Sequence, residues 1–198
     1  MSLWKDALLV YLKAPETHSE VFFHDDQVVA VLDKYPKAQF HAIVIPRQEL
    51  SIAVGQLTKQ HLPLLQHIAS IIPKIIDDRS NIRVGFHAIP SMRQLHVHVI
   101  SNDMKSPSLK KKQHWNSFTT SFFKPLSSVI EMLNEEGHVP INEDEEKAKL
   151  TRKLACHLCG VEFNQLPKLK LHLDTEHSNK RKANDSSPGE KRQKNESN

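Results

Sequence analysis

The hydrophobic positions in the first half of the chain occur mostly in short runs of β-branched and aromatic residues. Two of these runs flank the polar triplet His24, Asp25 and Asp26, and this arrangement predicts a β-hairpin. A third run stops at Pro46, which cannot donate a hydrogen bond within a sheet. The pattern as a whole predicts strands at residues 21–23, 28–32, 40–45, 82–87 and 95–101.

A different pattern, with apolar residues three and four positions apart, predicts helices between the strands. Ser2 can cap a short helix at the N-terminus, and Thr58 can cap a long one that Pro73 is expected to kink or divide. Another helix follows Pro125 and ends at Gly137. Because strands and helices do not alternate strictly, we expect an α+β fold with a mainly antiparallel sheet and flanking helices.

Charge is distributed unevenly along the 198 residues, although the net charge is only +4. Residues 1–150 carry 17 basic and 17 acidic side chains, so the excess lies in residues 151–198, which carry 10 basic and 6 acidic ones. A stretch at 105–124 contains five lysines and no acid. These features indicate a polyanionic partner, with a solvated surface loop as the alternative. No apolar run is long enough to cross a bilayer, so no membrane partner is expected. No secretory signal is expected either, because Lys5 and Asp6 interrupt the apolar residues at the N-terminus and no small-residue cleavage site follows them.

The spacing of cysteine and histidine indicates a metal site near the C-terminus. Cys156 and Cys159 are followed by His172 and His177 in the pattern C-x2-C-x12-H-x4-H, which is the spacing of a C2H2 zinc finger. Two thiolates on a tight turn and two imidazoles on one helix can meet around one Zn²⁺, and we expect this zinc to be structural. The site uses both cysteines, so no disulfide is expected and a reducing compartment is favoured.

Residues 94–100 alternate strictly between polar and apolar side chains. On a strand, this alternation places Gln94, His96 and His98 on one exposed face and the apolar residues in the core. Two imidazoles on one face can bind a metal ion. A neutral imidazole can also act as a nucleophile toward phosphorus when a neighbour fixes its tautomer. The residues alone leave both roles open, together with a purely structural one.

The same segment is similar to the signature of the histidine triad superfamily of nucleotide hydrolases and transferases, H-φ-H-φ-H-φ-φ, with Gln94 in place of the first histidine. The chain also resembles one branch of that superfamily, the DNA 5′-adenylate hydrolases that carry a C-terminal C2H2 finger. Four further segments carry this resemblance: residues 33–41, 85–92, 99–103 and 114–118. The similarity covers residues 4–177, and we do not expect the N-terminal forkhead-associated domain that some of these enzymes have.

The resemblance implies a histidine triad domain at residues 1–140, a connector at 141–153 and a ββα-like zinc finger at 154–178. Residues 179–198 are polar and charged without apolar spacing, which predicts a disordered basic tail. It implies an enzyme that removes AMP from adenylated 5′-phosphate ends of nicked or double-stranded DNA, including RNA–DNA junctions. AMP is the product, and a monomer is expected. Two basic clusters in the tail, at 180–182 and 191–194, have a bipartite arrangement that predicts a nuclear location.

The functional residues of this branch can be placed on the matching positions of this chain. His96 would be the nucleophile that carries AMP, His98 would stabilise the phosphoryl oxygens, and His87 would be a general acid. Gln94 can form hydrogen bonds but cannot carry a proton, so we expect it to position the substrate. The other expected contacts are Asp33, Lys37, His41 and Ser91 with AMP and its phosphates, and Trp4, Lys110, Lys111 and Lys112 with DNA.

Two alternative functions account for fewer of these sequence features. A general histidine triad hydrolase of small nucleotidyl phosphates or phosphoramidates needs neither the basic stretch nor the finger nor the tail. A non-catalytic nucleic-acid-binding protein does not need the intact His96 and His98. A comparison of AMP release from adenylated nicked DNA with release from a small adenosine phosphoramidate separates the three functions.

Overall fold

The computed structural model describes residues 3–177 and divides them between Arg152 and Lys153 into two units. The first unit contains a six-stranded antiparallel sheet in the order β1-β2-β3-β5-β4-β6. Its strands are β1 (Val21–His24), β2 (Val28–Leu32), β3 (His41–Pro46), β4 (Ile82–His87), β5 (Val97–Ser101) and β6 (Phe123–Pro125). Its helices are α1 (Leu62–Ile76), α2 (Lys112–Thr119), α3 (Leu126–Glu135) and α4 (Glu143–Thr151). The predicted α+β class and the hairpin of β1 and β2 are confirmed.

Alternation along the strands gives this sheet two faces with different coverings. Helices α1 and α3 pack on one face, where Val97 and Val99 of β5 are buried. The other face of β5 presents His98, which is paired with Ile43 of β3. Leu8 and Leu12 cover part of that second face. Within residues 3–177, no helix has the length and apolar character needed to cross a lipid bilayer.

The helices differ from the sequence prediction in two places. The predicted N-terminal helix is instead two short 3₁₀ helices, Leu3–Asp6 and Leu9–Tyr11, because burial of Leu8 and Leu12 in the sheet determines the path of this short segment. Pro73 does not divide α1, which is one continuous helix. The proline lies in the last turn, so the hydrogen bond that it removes is near the end of the helix.

Helix α4 occupies most of the segment that was expected to be a connector. Asn142 caps it by accepting hydrogen bonds from the backbone N–H groups of Asp144 and Glu145. The acidic side chains of the first turn interact favourably with the positive N-terminal end of the helix dipole. The buried Asn116 of α2 donates to the carbonyls of Leu150 and Arg152. These bonds join α4 to α2, so the first unit extends to Arg152.

The second unit has the predicted ββα arrangement. Strands β7 (Leu154–Ala155) and β8 (Glu162–Phe163) pair antiparallel and precede helix α5 (Leu166–Glu176). Its buried apolar side chains are Leu154, Leu166, Leu169 and Leu173, whereas Leu171 is exposed. The whole of the predicted basic tail at 179–198, including its two basic clusters, lies outside the described residues.

Candidate active site and zinc centre

A cavity of about 360 Å³ opens on the second face of the sheet, beside the N-terminal segment. Its walls come from distant parts of the chain that the sheet brings together. The predicted site residues among its lining are Trp4, Asp33, Lys37, His41, His87, Ser91, His96 and His98. The apolar part of the lining includes Leu8, Tyr11, Val31, Leu32, Ile43 and Phe118. A planar apolar group such as a base can therefore share one cavity with cationic and imidazole groups.

His96 has a defined tautomer. It lies just before β5, which begins at Val97 and not at residue 95 as predicted. Its Nδ1 lies 2.8 Å from the backbone carbonyl oxygen of Gln94, which can only accept, so Nδ1 carries the proton. The lone pair is therefore on Nε2. Burial lowers the pKa of His96, against the opposing effect of the Gln94 carbonyl and of Asp33, so the ring is neutral at pH 7.

His98 is oriented by a chain of hydrogen bonds from the loop after β2. The backbone N–H of Lys37 donates to Nδ1 of His41 over 3.2 Å, which leaves the proton of His41 on Nε2. That Nε2 lies 3.0 Å from Nδ1 of His98, so it donates to it. The proton of His98 is consequently on its own Nε2, which is buried and has no hydrogen-bond partner within residues 3–177. His98 thus offers a fixed donor to a bound group.

The two imidazoles in this chain of hydrogen bonds, those of His41 and His98, are uncharged. Burial lowers the pKa of His41 to about 4, although the Asp33 carboxylate, 3.5 Å from Nδ1, opposes the shift. Burial, with a smaller effect of neighbouring histidines, holds the pKa of His98 well below its ordinary value. Asp33, His41 and His98 are also close enough to share a metal ion. However, His41 and His98 direct their facing nitrogens at each other, so the geometry favours hydrogen-bond donation to substrate over metal binding.

His87 completes the imidazole cluster from β4. Its ring centroid is 4.4 Å from that of His98, and the Phe118 ring packs against both. Nε2 of His87 is buried without a hydrogen-bond partner in the described chain, and burial holds the pKa of this ring well below its ordinary value. Burial also lowers the pKa of Lys37, an effect that Asp33 opposes. Buried polar atoms without partners are costly, so this cluster is built to receive a polar ligand.

Gln94 does not line the cavity, so the expected contact of its side chain with substrate is wrong. Its side-chain Oε1 accepts from the N–H of Leu50 over 2.9 Å, and Nε2 donates to the carbonyls of Pro46 and Gln48 over 3.0 and 2.9 Å. The residue is only 1% exposed. Both amide protons are used inside the protein, so the side chain holds the loop after β3. The face expected to be exposed is in fact buried, since His96 and His98 are only 5% and 4% exposed.

The rim of the cavity carries exposed aromatic and basic groups. Trp4 is 54% exposed and Tyr35 is 62% exposed, although both contribute to the lining. Lys110, Lys111 and Lys112 are exposed and lie outside the lining, at the start of α2. Trp115 is fully buried, as expected for a core residue.

His114 lines the cavity from the first turn of α2 and was not predicted as a site residue. Its Nδ1 is buried and has no hydrogen-bond partner in the described part of the chain. Burial, with a smaller effect of Lys37 and Lys111, lowers the pKa of its ring. The sequence signal for this residue was its position within the basic stretch at 105–124, two residues after Lys112.

The four predicted zinc ligands converge in the second unit. Nε2 of His172 lies 3.2 Å from the Cys159 sulfur and 3.2 Å from Nε2 of His177, which is 3.5 Å from the Cys156 sulfur. A tetrahedral Zn²⁺ with two sulfur and two nitrogen ligands requires separations of about 3.3 to 3.8 Å, so the donor set fits this metal. The turn that presents the cysteines includes Gly160 at φ 77°, a backbone conformation that favours glycine. The cluster is a zinc-binding site.

Comparison with known proteins finds similarity in both units of the chain. Residues 9–114 match the protein family described as "Scavenger mRNA decapping enzyme C-term binding", and residues 119–179 match the "C2HE / C2H2 / C2HC zinc-binding finger". A solved structure described as an aprataxin ortholog, Hnt3, in complex with DNA is 29% identical with a TM-score of 0.79, over 91% of this chain and 98% of that one. A structure of Hnt3 with DNA and guanosine is 27% identical with a TM-score of 0.72, over 91% and 98% of the two chains.

Two curated relatives carry the name aprataxin or aprataxin-like protein. Aprataxin of Gallus gallus is 41% identical over 86% of this chain and 54% of its own length. The aprataxin-like protein of Schizosaccharomyces pombe is 32% identical over 88% of this chain and 82% of its own length. The chain spans about half the length of the vertebrate relatives that it matches. This similarity over both units, together with the histidine cluster and the Cys2His2 site, shows that the chain belongs to the aprataxin family of histidine triad proteins.

Proposed function

We propose that this protein removes AMP from adenylated 5′-phosphate ends of DNA, including RNA–DNA junctions, through a covalent AMP–histidine intermediate on His96. The fixed tautomer of His96 carries the proposal. Its Nδ1 donates its proton to the Gln94 carbonyl, so Nε2 is unprotonated and keeps its lone pair. His96 lines the cavity in which the substrate would bind. A nucleophile that is already neutral needs no base to activate it.

The reaction balances as two displacements at one phosphorus. Nε2 of His96 attacks the phosphorus of AMP, a P–N bond forms, and the bond to the 5′-phosphate oxygen of DNA breaks with its electron pair on that oxygen. Water then attacks the same phosphorus, and the P–N bond breaks. AMP is released, the proton lost by water is transferred to solvent or phosphate, and His96 returns to its neutral form. Each step exchanges one bond for another and needs no redox partner.

The groups around His96 match the charge that develops during these steps. Nε2–H of His98 can donate to a phosphoryl oxygen, and Lys37 supplies a positive charge in the same cavity. His87, whose buried Nε2 has no hydrogen-bond partner in the described chain, would hydrogen-bond the departing phosphate, and Ser91 would add a hydroxyl from the cavity lining. A phosphate monoester is a good leaving group, so a hydrogen bond from a neutral imidazole is sufficient assistance.

The residues at the rim of the cavity support the proposal that DNA is the group attached to AMP. Trp4 exposes a large aromatic surface next to the cavity, where it can stack on the terminal base of a duplex. Lys110, Lys111 and Lys112 offer positive charge for phosphates at the start of α2. The structural relatives described as DNA complexes favour the same substrate class.

AMP release from two substrates tests the proposed function. We expect faster release, measured as kcat/KM, from an adenylated nicked duplex than from a small adenosine phosphoramidate. Equal or faster hydrolysis of the phosphoramidate would favour a general nucleotidyl hydrolase. Binding of the nicked duplex without AMP release from either substrate would favour a non-catalytic DNA-binding protein.

The pH dependence of the first step should follow the lowered pKa of His96. Because burial lowers this pKa below 6.5, the neutral nucleophile persists to lower pH, and activity is lost only as the pH falls through the lowered value. We expect the acid limb of kcat/KM for the small phosphoramidate to lie below pH 6.5. A limb at or above 6.5 would contradict the neutral, buried nucleophile.

We propose that the zinc is structural and not catalytic, because its four ligands are all protein side chains and leave no open position. Chelation should unfold the second unit, weaken binding to nicked DNA by about 10-fold or more, and leave phosphoramidate hydrolysis within about 2-fold. The control is restoration by added Zn²⁺ but not by Mg²⁺. Equal loss of the small-substrate reaction would indicate that the histidine cluster holds a metal.

We also propose a nuclear location, on the basis of the two basic clusters in the sequence at 180–182 and 191–194. Neutral replacement of both clusters should move a fluorescent fusion of the full chain out of the nucleus while the purified protein retains its activity. Nuclear retention combined with weaker, less salt-sensitive DNA binding would instead assign the clusters to phosphate contacts.

A further inference from the structure

We infer that the ion pair between Arg93 and Asp6 positions Trp4 at the rim of the cavity and thereby sets the preference for duplex DNA ends. The inference rests on the proposed function, because Trp4 acts there on the base next to the adenylate. Nε of Arg93 donates to Oδ1 of Asp6 over 2.7 Å, and a second guanidinium nitrogen donates to Oδ2. A two-pronged contact of this kind fixes direction as well as distance.

The pair joins two segments that are far apart in the sequence. Asp6 and Trp4 belong to the same 3₁₀ helix, Leu3–Asp6, so a fixed Asp6 limits the rotation of the turn that carries Trp4. Arg93 lies between Ser91 and His96, which both line the cavity. The backbone N–H of Arg93 also donates to the carbonyl of Lys5 over 3.0 Å. Three hydrogen bonds thus connect the helix that carries Trp4 to the segment that carries the nucleophile.

Packing alone does not fix this helix. Leu8 and Leu12, which follow it, are buried against the sheet, whereas Trp4 itself is 54% exposed. The side chains of Arg93 and Asp6 are 46% and 35% exposed. A pair with that exposure contributes little to folding, so its removal should leave a folded protein. Its effect is to hold an exposed aromatic ring in place before substrate arrives, which lowers the entropic cost of binding.

The test uses Asp6→Asn in the full chain, which removes the charge at nearly constant shape. We expect the KM for an adenylated nicked duplex to rise about 3- to 10-fold, with kcat and the hydrolysis of a small adenosine phosphoramidate changed less than about 2-fold. The exchanged pair Asp6→Arg with Arg93→Asp should recover much of the lost affinity. Glu143→Gln removes another exposed pair, with Lys147 on α4, and should change neither value.

A Trp4→Phe background shows whether the pair acts through Trp4. There, Asp6→Asn should have no further effect on the KM for the nicked duplex. An undiminished effect, or a parallel loss of phosphoramidate hydrolysis, would overturn the inference, because the pair would then act on the catalytic segment or on DNA directly.

Fluorescence separates failure of this inference from failure of the proposed function. The chain has two tryptophans, and Trp115 is fully buried, so the quencher-accessible emission belongs to Trp4. Asp6→Asn should lower the anisotropy of that emission in the free protein. If wild type releases no AMP from DNA but the anisotropy falls, the proposed function fails and the positioning of Trp4 stands. Unchanged anisotropy would refute the positioning itself.

Discussion

Replacement of His96 by alanine is expected to lower AMP release by at least about 1000-fold, because it removes the atom that forms the covalent bond. The remaining catalysis would come from His98, Lys37 and the binding of the substrate. The affinity for an adenylated nicked duplex should stay within about 3-fold of wild type, since the cavity walls and the rim are unchanged. Acid quench of wild type with radiolabelled adenylate should trap label on the protein, and His96→Ala should trap none.

The control for this experiment is His138→Ala, which removes an exposed histidine outside the cavity. Its activity and its trapped label should equal those of wild type. A labelled adduct that persists in His96→Ala would assign the nucleophile to another residue, and His98 would be the first to examine. Loss of DNA affinity together with activity would show that His96 also holds the substrate.

Sequence patterns predicted strands β1 to β5 of the central sheet, because each of them coincides with an apolar run that is bounded by polar or proline residues. Strands β2 and β4 were predicted at their observed limits, and β1 and β3 within one residue at each end. The pattern missed β6, which has three residues and contains Pro125, and α2, whose sequence is mostly polar. Tertiary contacts form those elements: β6 pairs with β4, and α2 packs against α4.

The site was predictable as a set of residues but not as an arrangement. His96 and His98 follow from the alternation in the sequence, and the resemblance adds His87 and Lys37. The hydrogen bond between His41 and His98 joins side chains 57 positions apart, so no local pattern could show it. The tautomers depend on such bonds, and they decide which nitrogen attacks and which nitrogen donates.

Gln94 shows why position in a motif does not determine what a side chain contacts. The alternation placed it on the same face as the two histidines, which led to the expected substrate contact. The regular strand begins only at Val97, so strand geometry does not apply to residue 94. Its amide points toward the loop after β3, where two carbonyls and one N–H require partners. Glutamine suits that place because it supplies two donors and an acceptor at once.

Replacement of Gln94 by glutamate is therefore expected to destabilise the first unit strongly at almost constant volume. The carboxylate would face the carbonyls of Pro46 and Gln48 without the two protons that they receive now. We expect a loss of about 3 kcal/mol or more in the free energy of unfolding at pH 7, because a buried charge would lack partners. In this unit of about 150 residues, that loss corresponds to a fall of roughly 6 to 12 °C in the melting temperature.

The pH dependence of this loss distinguishes a buried charge from a general packing defect. Burial and the facing carbonyls would raise the pKa of the introduced carboxyl in the folded state above its unfolded value. The penalty should thus be largest at neutral pH and diminish as the pH falls through the raised pKa, since the protonated acid can donate to one carbonyl. Urea unfolding of Gln94→Glu and wild type from pH 4.5 to 8 measures the difference, with Gln66→Glu on the exposed side of α1 as the control. A difference that is constant with pH, or a loss below about 0.5 kcal/mol, would show that the amide protons of Gln94 do not hold the loop.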